Sequence, residues 1–213
     1  MEKKFDSIRN EYRKKKLNKK DVHPDPFKQF VDWMDQAIKS GVKEPTAMSL
    51  ASAGKNSMPS NRIVLLKEIQ NQGFIFFSNY ESKKGHQLTE NPYGSILFFW
   101  PELEKQIRIE GRIEKTPKEI SDNYYLTRPA KRRIGAWASP QSREIPNRKH
   151  LEDLQAEYEK KFEGKAPHRP DNWGGYILMP YTFEFWQGRP NRLHDRIEYY
   201  LDDNDWKIRR LAP

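Results

Sequence analysis

The stretch FEFWQGRPNRLHDR, residues 183–196, runs from aromatic, strand-forming residues into three arginines, a histidine and an aspartate. If RLHDR continues as extended chain, side chains two apart point the same way. Arg192, His194 and Arg196 then share one face, and Leu193 and Asp195 the other. Two guanidinium groups flanking an imidazole suit an anionic ligand and a proton to hold or move. An edge strand that carries charge against aggregation would look the same.

Four other stretches carry basic groups beside strands or helix starts. In RIVLLK (62–67), Arg62, Val64 and Leu66 alternate with Ile63, Leu65 and Lys67; the terminal charges either bind an anion or snorkel from a buried strand. In NYESKKGHQ (79–87), Ser82, Lys83 and Lys84 open a helix. Lysines are unfavourable in a first turn unless an anion sits there, and exposed N–H groups with a hydroxyl and two cations suit phosphate. In QIRIEG (106–111), Gln106, Arg108 and Glu110 share a strand face. The glutamine amide can read a heterocycle edge, and a plain polar face fits too. In NYYLTRPAKRRIGAWASPQS (123–142), Tyr124, Arg128, Arg132 and Arg133 lie close in sequence, as a phosphate site or as a basic surface. Five scattered histidines and no cysteine offer no metal-ligand spacing. P-loop, dinucleotide-binding and nucleophile-elbow motifs are absent.

The elements that must position these groups follow from periodicity. Asp25 caps, Pro26 starts and Gly41 ends a helix, with Phe27, Phe30, Val31, Met34 and Ile38 as its apolar stripe. AMSLASAG, NRIVLLKEI, GFIFFSNY, SILFFW and QIRIEGRIE then read as short strands separated by KNSMPSN, NQG and ENPYG turns. SKKGHQLTEN is a short helix capped by Ser82. TPKEISDNYYLTRP and NRKHLEDLQAEYEKKFEG read as helices, the second strongly amphipathic. GYILMPYTFEFWQG, RLHDRIEYYL and WKIRRLAP close the chain as strands, the last two joined by DDND. The expected fold is mainly β with peripheral α-helices, a single antiparallel barrel domain over 24–213, preceded by a basic arm at 1–23. That arm has little to bury beyond Phe5, Ile8, Tyr12 and Leu17.

Composition agrees. The 213 residues suffice for one core; the apolar fraction is 35%, but aromatics reach 13%, which disordered chains lack. A core this lean gains from oligomerisation. The net charge of +9 points to acidic partners: nucleic acid, anionic membrane or phosphorylated small molecules. The absence of cysteine fits a reducing cytoplasm. The N-terminus lacks a signal-peptide core, and the most apolar run, ILFFW, is too short to span a bilayer. The chain reads as soluble.

RIVLLK, SKKGHQ, QIRIEG, the YYLTRP…IGAWAS.QS block, and FWQG…RLHDR with the closing RLAP occur in this order along nearly the whole chain. Together they resemble the pyridoxine/pyridoxamine 5′-phosphate oxidase family. The resemblance implies an FMN-binding split β-barrel, a homodimer with the flavin at the subunit interface, whose partners are phosphorylated B6 vitamers and O2 and not nucleic acid or membrane. It places FMN on Arg62, Ile63, Val64, Leu65, Leu66, Lys67, Phe77, Ser78, Lys83, Lys84, Gln106, Gln141, Ser142, Trp186 and Arg196. It places substrate on Lys67, Tyr124, Arg128, Arg192, Leu193 and His194, with Arg9, Asn10, Glu11 and Tyr12 of the arm. Arg192 and His194 would stand at the reacting ring. Two departures appear: Asn10 where an arginine is familiar, and Arg132 where a serine is familiar beside the substrate phosphate. The implied reaction oxidises pyridoxine or pyridoxamine 5′-phosphate to pyridoxal 5′-phosphate, with hydride passing to the flavin and O2 reduced to H2O2. A nucleic-acid-binding barrel is the competing reading from charge alone, and would bind no chromophore. A split barrel with FMN and another substrate is a third, which RLHDR and the TRP block disfavour by the same resemblance.

Overall fold

The computed structural model describes residues 11–213; Phe5, Ile8, Arg9 and Asn10 lie outside them. The chain divides into two compact units, each assembled from separated segments. One comprises Met1–Met48, Ile96–Glu110 and Tyr181–Pro213; the other comprises Ser49–Ser95 and Gly111–Pro180. The helices are α1 (Pro26–Lys39), α2 (Lys83–Glu90), α3 (Lys118–Thr127), α4 (Ala130–Ala138) and α5 (Arg148–Lys161). The strands are β1 (Ala47–Ala53), β2 (Pro59–Leu65), β3 (Glu68–Gln70), β4 (Gly73–Asn79), β5 (Tyr93–Trp100), β6 (Lys105–Lys115), β7 (Trp173–Gln187), β8 (Asp195–Asp202) and β9 (Asp205–Leu211). They form one sheet in the order β2-β1-β5-β6-β7-β4-β3, with β8 added to β7 and β9 to β8. The β3–β4, β4–β7, β7–β8 and β8–β9 ladders are antiparallel.

In the unit that holds both ends of the described chain, α1 packs on aromatic strand residues. The Asp25 carboxylate accepts from the Phe27 N–H, Pro26 stands at the first helical position, and Gly41 takes φ +74° after the helix. The expected helix is therefore present, but its buried face differs. Phe30, Trp33, Met34 and Ala37 point inward, while Val31 and Ile38 stay 46% and 54% exposed. Rings decide the rotation. Phe30 meets Phe98, Trp33 meets Phe185, and Phe27 meets Phe183, all at centroid separations of 5.1–5.2 Å. Burying a large apolar side chain contributes roughly 1.5–3 kcal/mol whether aromatic or aliphatic, and the ring pairs add about 0.5–1.5 kcal/mol that Val31 and Ile38 cannot supply. The β8–β9 hairpin turns through Asp203 and Asn204, both at positive φ, as a two-residue loop between right-twisted strands requires.

In the other unit, β4 is buried almost throughout and pairs with β7, bringing Phe77 opposite Gly175 and Asn79 opposite Trp173. β3 and β4 join through Asn71 and Gln72, again both at positive φ. Ser82 caps α2 by accepting from the Gly85 N–H and donating to the Asn79 carbonyl. Gly85 is required there, since a Cβ would lie 1.9 Å from the Tyr80 carbonyl oxygen. Residues 130–138, to which the sequence pattern assigns no element, form α4, which starts directly after Pro129. α5 is amphipathic as expected, but shallowly: Leu151, Leu154 and Tyr158 make a half-buried stripe, and no residue of the helix is fully buried.

Candidate functional site

The site-forming residues fall into two sets, one in each unit. In the 49–95/111–180 unit, Arg62 to Leu65, Lys67, Phe77, Ser78, Lys84, Tyr124, Arg128, Arg132 and Gln141 line a cavity of about 530 Å³. β2 supplies one wall by alternation: Arg62 and Val64 are half-buried, while Ile63 and Leu65 turn outward as exposed apolar residues. Leu66 departs from the lining and is buried in the core. Lys83 is exposed at the start of α2, and Ser142 is exposed at φ +70° beside Gln141.

Lys84 is the electrostatic centre of this wall. Only 8% of it is exposed, and its ammonium donates to Ser78 Oγ (3.0 Å), Ser82 Oγ (3.1 Å) and Gln141 Oε1 (2.8 Å). All three acceptors are neutral, and no carboxylate pairs with it among the described residues. Burial and the nearby Arg62 guanidinium push its pKa down to about 8. Arg62 is itself oriented, donating to the Leu50 carbonyl, Ser52 Oγ and Ser60 Oγ, and burial lowers its pKa. Two cations held close by neutral dipoles form a place for an anion.

A second such place lies around Arg128. Its guanidinium sits over the Trp173 ring at 4.5 Å, and its Nη1 is buried with no hydrogen-bond partner among the described residues. Burial lowers its pKa, and Arg132 opposes the same charge. Tyr124 stacks on Phe77 at 3.8 Å and 13°, with Trp173 nearly parallel at 5.6 Å from Phe77. Burial raises the Tyr124 hydroxyl, while Arg128 and Arg132 pull it back. Trp173 was missed by sequence reasoning. Its place on the shelf comes from the β4–β7 register, which no local pattern reveals. The two anion sites thus flank an aromatic shelf on one cavity wall.

In the other unit, RLHDR does not continue as a strand. Pro190 opens a single 3-10 turn over Pro190–Arg192, with Asn191 and Arg192 at φ +57° and +61°, and β8 begins only at Asp195. The shared face expected for Arg192, His194 and Arg196 is therefore absent. Proline fixes φ and removes a donor at the point where the alternation would have begun. Arg192 and Leu193 are exposed on this turn. Arg196 opposes Trp186 across the β7–β8 ladder and makes a bidentate pair with Glu184 (2.8 and 2.9 Å). Burial would raise the Glu184 carboxyl, but hydrogen bonds from Arg196 and Arg108 outweigh it and hold the group below its usual range. Gln106, Arg108 and Glu110 do share one half-buried face of β6.

His194 lies against Trp186 at 4.6 Å and Tyr12 at 5.8 Å. The Arg189 backbone N–H donates to His194 Nδ1 (3.1 Å), which leaves the ring proton on Nε2. Burial and then Arg192 lower the His194 pKa, so the ring is neutral at pH 7. It presents an N–H donor at Nε2. Glu11 is exposed and pairs with Arg13.

Residues 34–160 match the family described as "Pyridoxamine 5'-phosphate oxidase", and residues 173–213 match "Pyridoxine 5'-phosphate oxidase C-terminal dimerisation region". A pyridoxine/pyridoxamine 5'-phosphate oxidase of Cupriavidus pinatubonensis is 52% identical over 97% of each chain. One from Haemophilus influenzae is 51% identical over 97% of this chain and 98% of its own. Among solved structures, PhzG of Burkholderia lata, in complex with tetrahydrophenazine-1-carboxylic acid, superposes with a TM-score of 0.86 at 34% identity, covering 91% and 95% of the two chains. A pyridoxamine 5'-phosphate oxidase-related, FMN-binding protein of Nostoc punctiforme shares the fold, with a TM-score of 0.70 at 16% identity over 89% and 98%.

The Lys84 site predicts opposite pH trends for folding and for anion binding. Between pH 8 and 10.5 the folded apoprotein holds fewer protons at Lys84 than the unfolded chain, so this group's penalty on folding is relieved as pH rises. An FMN phosphate needs the protonated ammonium, so FMN affinity should fall as pH rises from 8 towards 10. Lys84→Met should weaken FMN binding at pH 7 by about ten- to a hundredfold, the loss of a charge-assisted hydrogen bond, and flatten the decline. Fluorescence titration at several pH values checks it; an undiminished decline in the variant would assign it to another group.

Proposed function

This chain belongs to the pyridoxine/pyridoxamine 5′-phosphate oxidase family, and we propose on that premise how its own residues carry the reaction. It is an FMN-dependent oxidoreductase of the split-barrel fold that converts pyridoxine and pyridoxamine 5′-phosphates to pyridoxal 5′-phosphate, and it is a homodimer. In our reading O2 is the electron acceptor, H2O2 is released, the flavin sits at the subunit interface, and the enzyme works in the cytoplasm. The observation that carries the residue assignment is the pair of anion sites, Lys84 and Arg128, on one cavity lined by an aromatic shelf.

The donor set fits FMN. Lys84, with Ser78, Ser82 and Gln141, offers a buried cation for its phosphate, and Ile63, Leu65 and Phe77 offer apolar surface for a ring. When bound, FMN supplies the two-electron redox chemistry that no side chain here can perform. Lys83, Ser142, Gln106, Trp186 and Arg196 complete the proposed flavin contacts; Arg196 keeps N–H groups beyond those used on Glu184 and the Ala212 carbonyl.

Lys67, Tyr124 and Arg128 take the substrate phosphate, with Arg132 as an added cation. That phosphate is remote from the carbon being oxidised, so its binding energy holds the ring in reacting geometry. Arg192, Leu193 and His194 orient the pyridine ring, and the arm from Arg9 to Tyr12 covers it. His194 acts as a donor. Its Nδ1 lone pair is occupied by Arg189 N–H and its Nε2 already bears a proton, so it hydrogen-bonds the ring oxygen of the substrate and does not remove a proton.

Aerobic turnover of pyridoxine 5′-phosphate, with pyridoxal 5′-phosphate and H2O2 both measured, tests this reading; a flavin-loaded protein yielding neither would reject it. Arg192→Ala should lower kcat/KM by roughly ten- to a hundredfold, from a charge-assisted contact of about 1.5–3 kcal/mol, with FMN affinity nearly unchanged. Because Arg192 helps lower the His194 pKa, the acid limb of the kcat/KM profile should also move to higher pH in this variant. Equal loss of flavin and turnover would place Arg192 on the cofactor instead. For Arg132→Ser, KM for pyridoxine 5′-phosphate should rise several-fold, more at low salt, with kcat nearly constant. Unchanged KM at two ionic strengths would place Arg132 outside the site.

A further inference from the structure

Residues 11–17 form no regular structure, yet they are fastened at both ends. At one end, Glu104 Oε2 accepts from the backbone N–H groups of Arg13 and Lys14, both at 2.9 Å. At the other, Asp195 Oδ2 accepts from the Leu17 N–H (3.0 Å), Arg210 donates to the Leu17 carbonyl (2.8 Å), and Leu17 is buried. Immediately before the Glu104 fastening, Tyr12 lies against Trp186 (5.5 Å) and His194 (5.8 Å).

Glu104 is unusual in two respects. It is a non-glycine residue in the left-handed region (φ +54°), a conformation that favours glycine, and it is almost fully buried. Its carbonyl accepts from the Gly188 N–H (2.8 Å) and from Gln187 Nε2 (3.1 Å). One residue therefore grips the arm with its side chain and the WQG segment with its backbone. Tyr12 lies so closely on that segment that a Cβ at residue 188 would come within 2.6 Å of Tyr12 Cγ.

We propose that Glu104 and Asp195 are positioning residues which latch the arm, so that Tyr12 is held over the Trp186–His194 pair. Neither needs to touch the substrate. Their effect on catalysis rests on the function proposed above, but the latch itself does not. Two backbone N–H groups on one buried carboxylate oxygen make a preorganised fastening whose loss frees a highly charged, poorly packed segment.

Trypsin reads the latch directly, because Arg13, Lys14, Lys15 and Lys16 are cleavage points within the arm. In the holoenzyme, Glu104→Gly removes the carboxylate at a position that favours glycine. Cleavage after residues 13–16 should accelerate at least about tenfold, with FMN content and thermal midpoint unchanged; Glu104→Gln, retaining one acceptor oxygen, should restore part of the protection. Wild-type cleavage as fast as the variant's overturns the latch. In kinetics, Glu104→Gly should raise KM for pyridoxine 5′-phosphate several-fold in the wild-type background and add nothing in Tyr12→Ala. Additive losses would show that Glu104 does not act through Tyr12. A chain lacking oxidase activity but showing the protease result would reject the functional reading and leave the latch standing.

Discussion

A buried ammonium with no carboxylate partner among the described residues is the constraint around which the cavity is built. Lys84 could have been neutralised by an acidic neighbour, and 30 acidic residues were there to choose from. Instead three neutral oxygens hold it, and its pKa falls to about 8. The local structure serves that arrangement. Ser82 must cap α2 and still accept from Lys84; Gly85 must be a glycine so that α2 can start hard against Tyr80; β4 must carry Ser78 next to its last residue, Asn79, to bring its hydroxyl within reach. A carboxylate partner here would have neutralised the charge.

The same logic sorts the arginines. Arg196 and Arg108 are spoken for by Glu184, Arg189 and Arg210 by Asp195, and Arg169 by Asp122. These pairs fix strand ends, β8 on β7 and the arm on β8. Arg128 has no such partner among the described residues; it lies over the Trp173 and Tyr125 rings with a buried Nη1, and Arg132 lines the same cavity. A defined part of the excess positive charge is withheld from internal pairing and turned towards one cavity, which suits small phosphorylated ligands.

Much of this was legible from residue order. Asp25, Pro26 and Gly41 bounded α1, Ser82 marked α2, and the alternation in RIVLLK set its two faces, because caps and period-two burial are local physics. The failures are instructive. Val31 and Ile38 look like core on a helical wheel, but the rings of Trp33 and Phe30 had partners on the strands and set the rotation. RLHDR alternates correctly on paper, yet the proline two residues upstream and two positive φ values turn the chain before β8. AKRRIGAWA carries a short apolar stripe, Ala130, Ile134, Trp137 and Ala138, which the proline before it and the adjacent arginines obscured. Trp173 and Glu104 were invisible because their roles depend on strand register and on a segment some ninety residues away, which no window of sequence contains.

The central claim, that Lys84 is held unpaired to receive a ligand phosphate, is tested most directly by titrating the apoprotein with riboflavin and with FMN. The two share the ring system and differ by the phosphate. The account predicts that FMN binds at least about a hundredfold more tightly to the wild-type protein, as charge-assisted hydrogen bonds to a buried cation require, and that this gap largely closes in Lys84→Met. Riboflavin binding as tightly as FMN, or a gap that survives loss of the lysine, would contradict it.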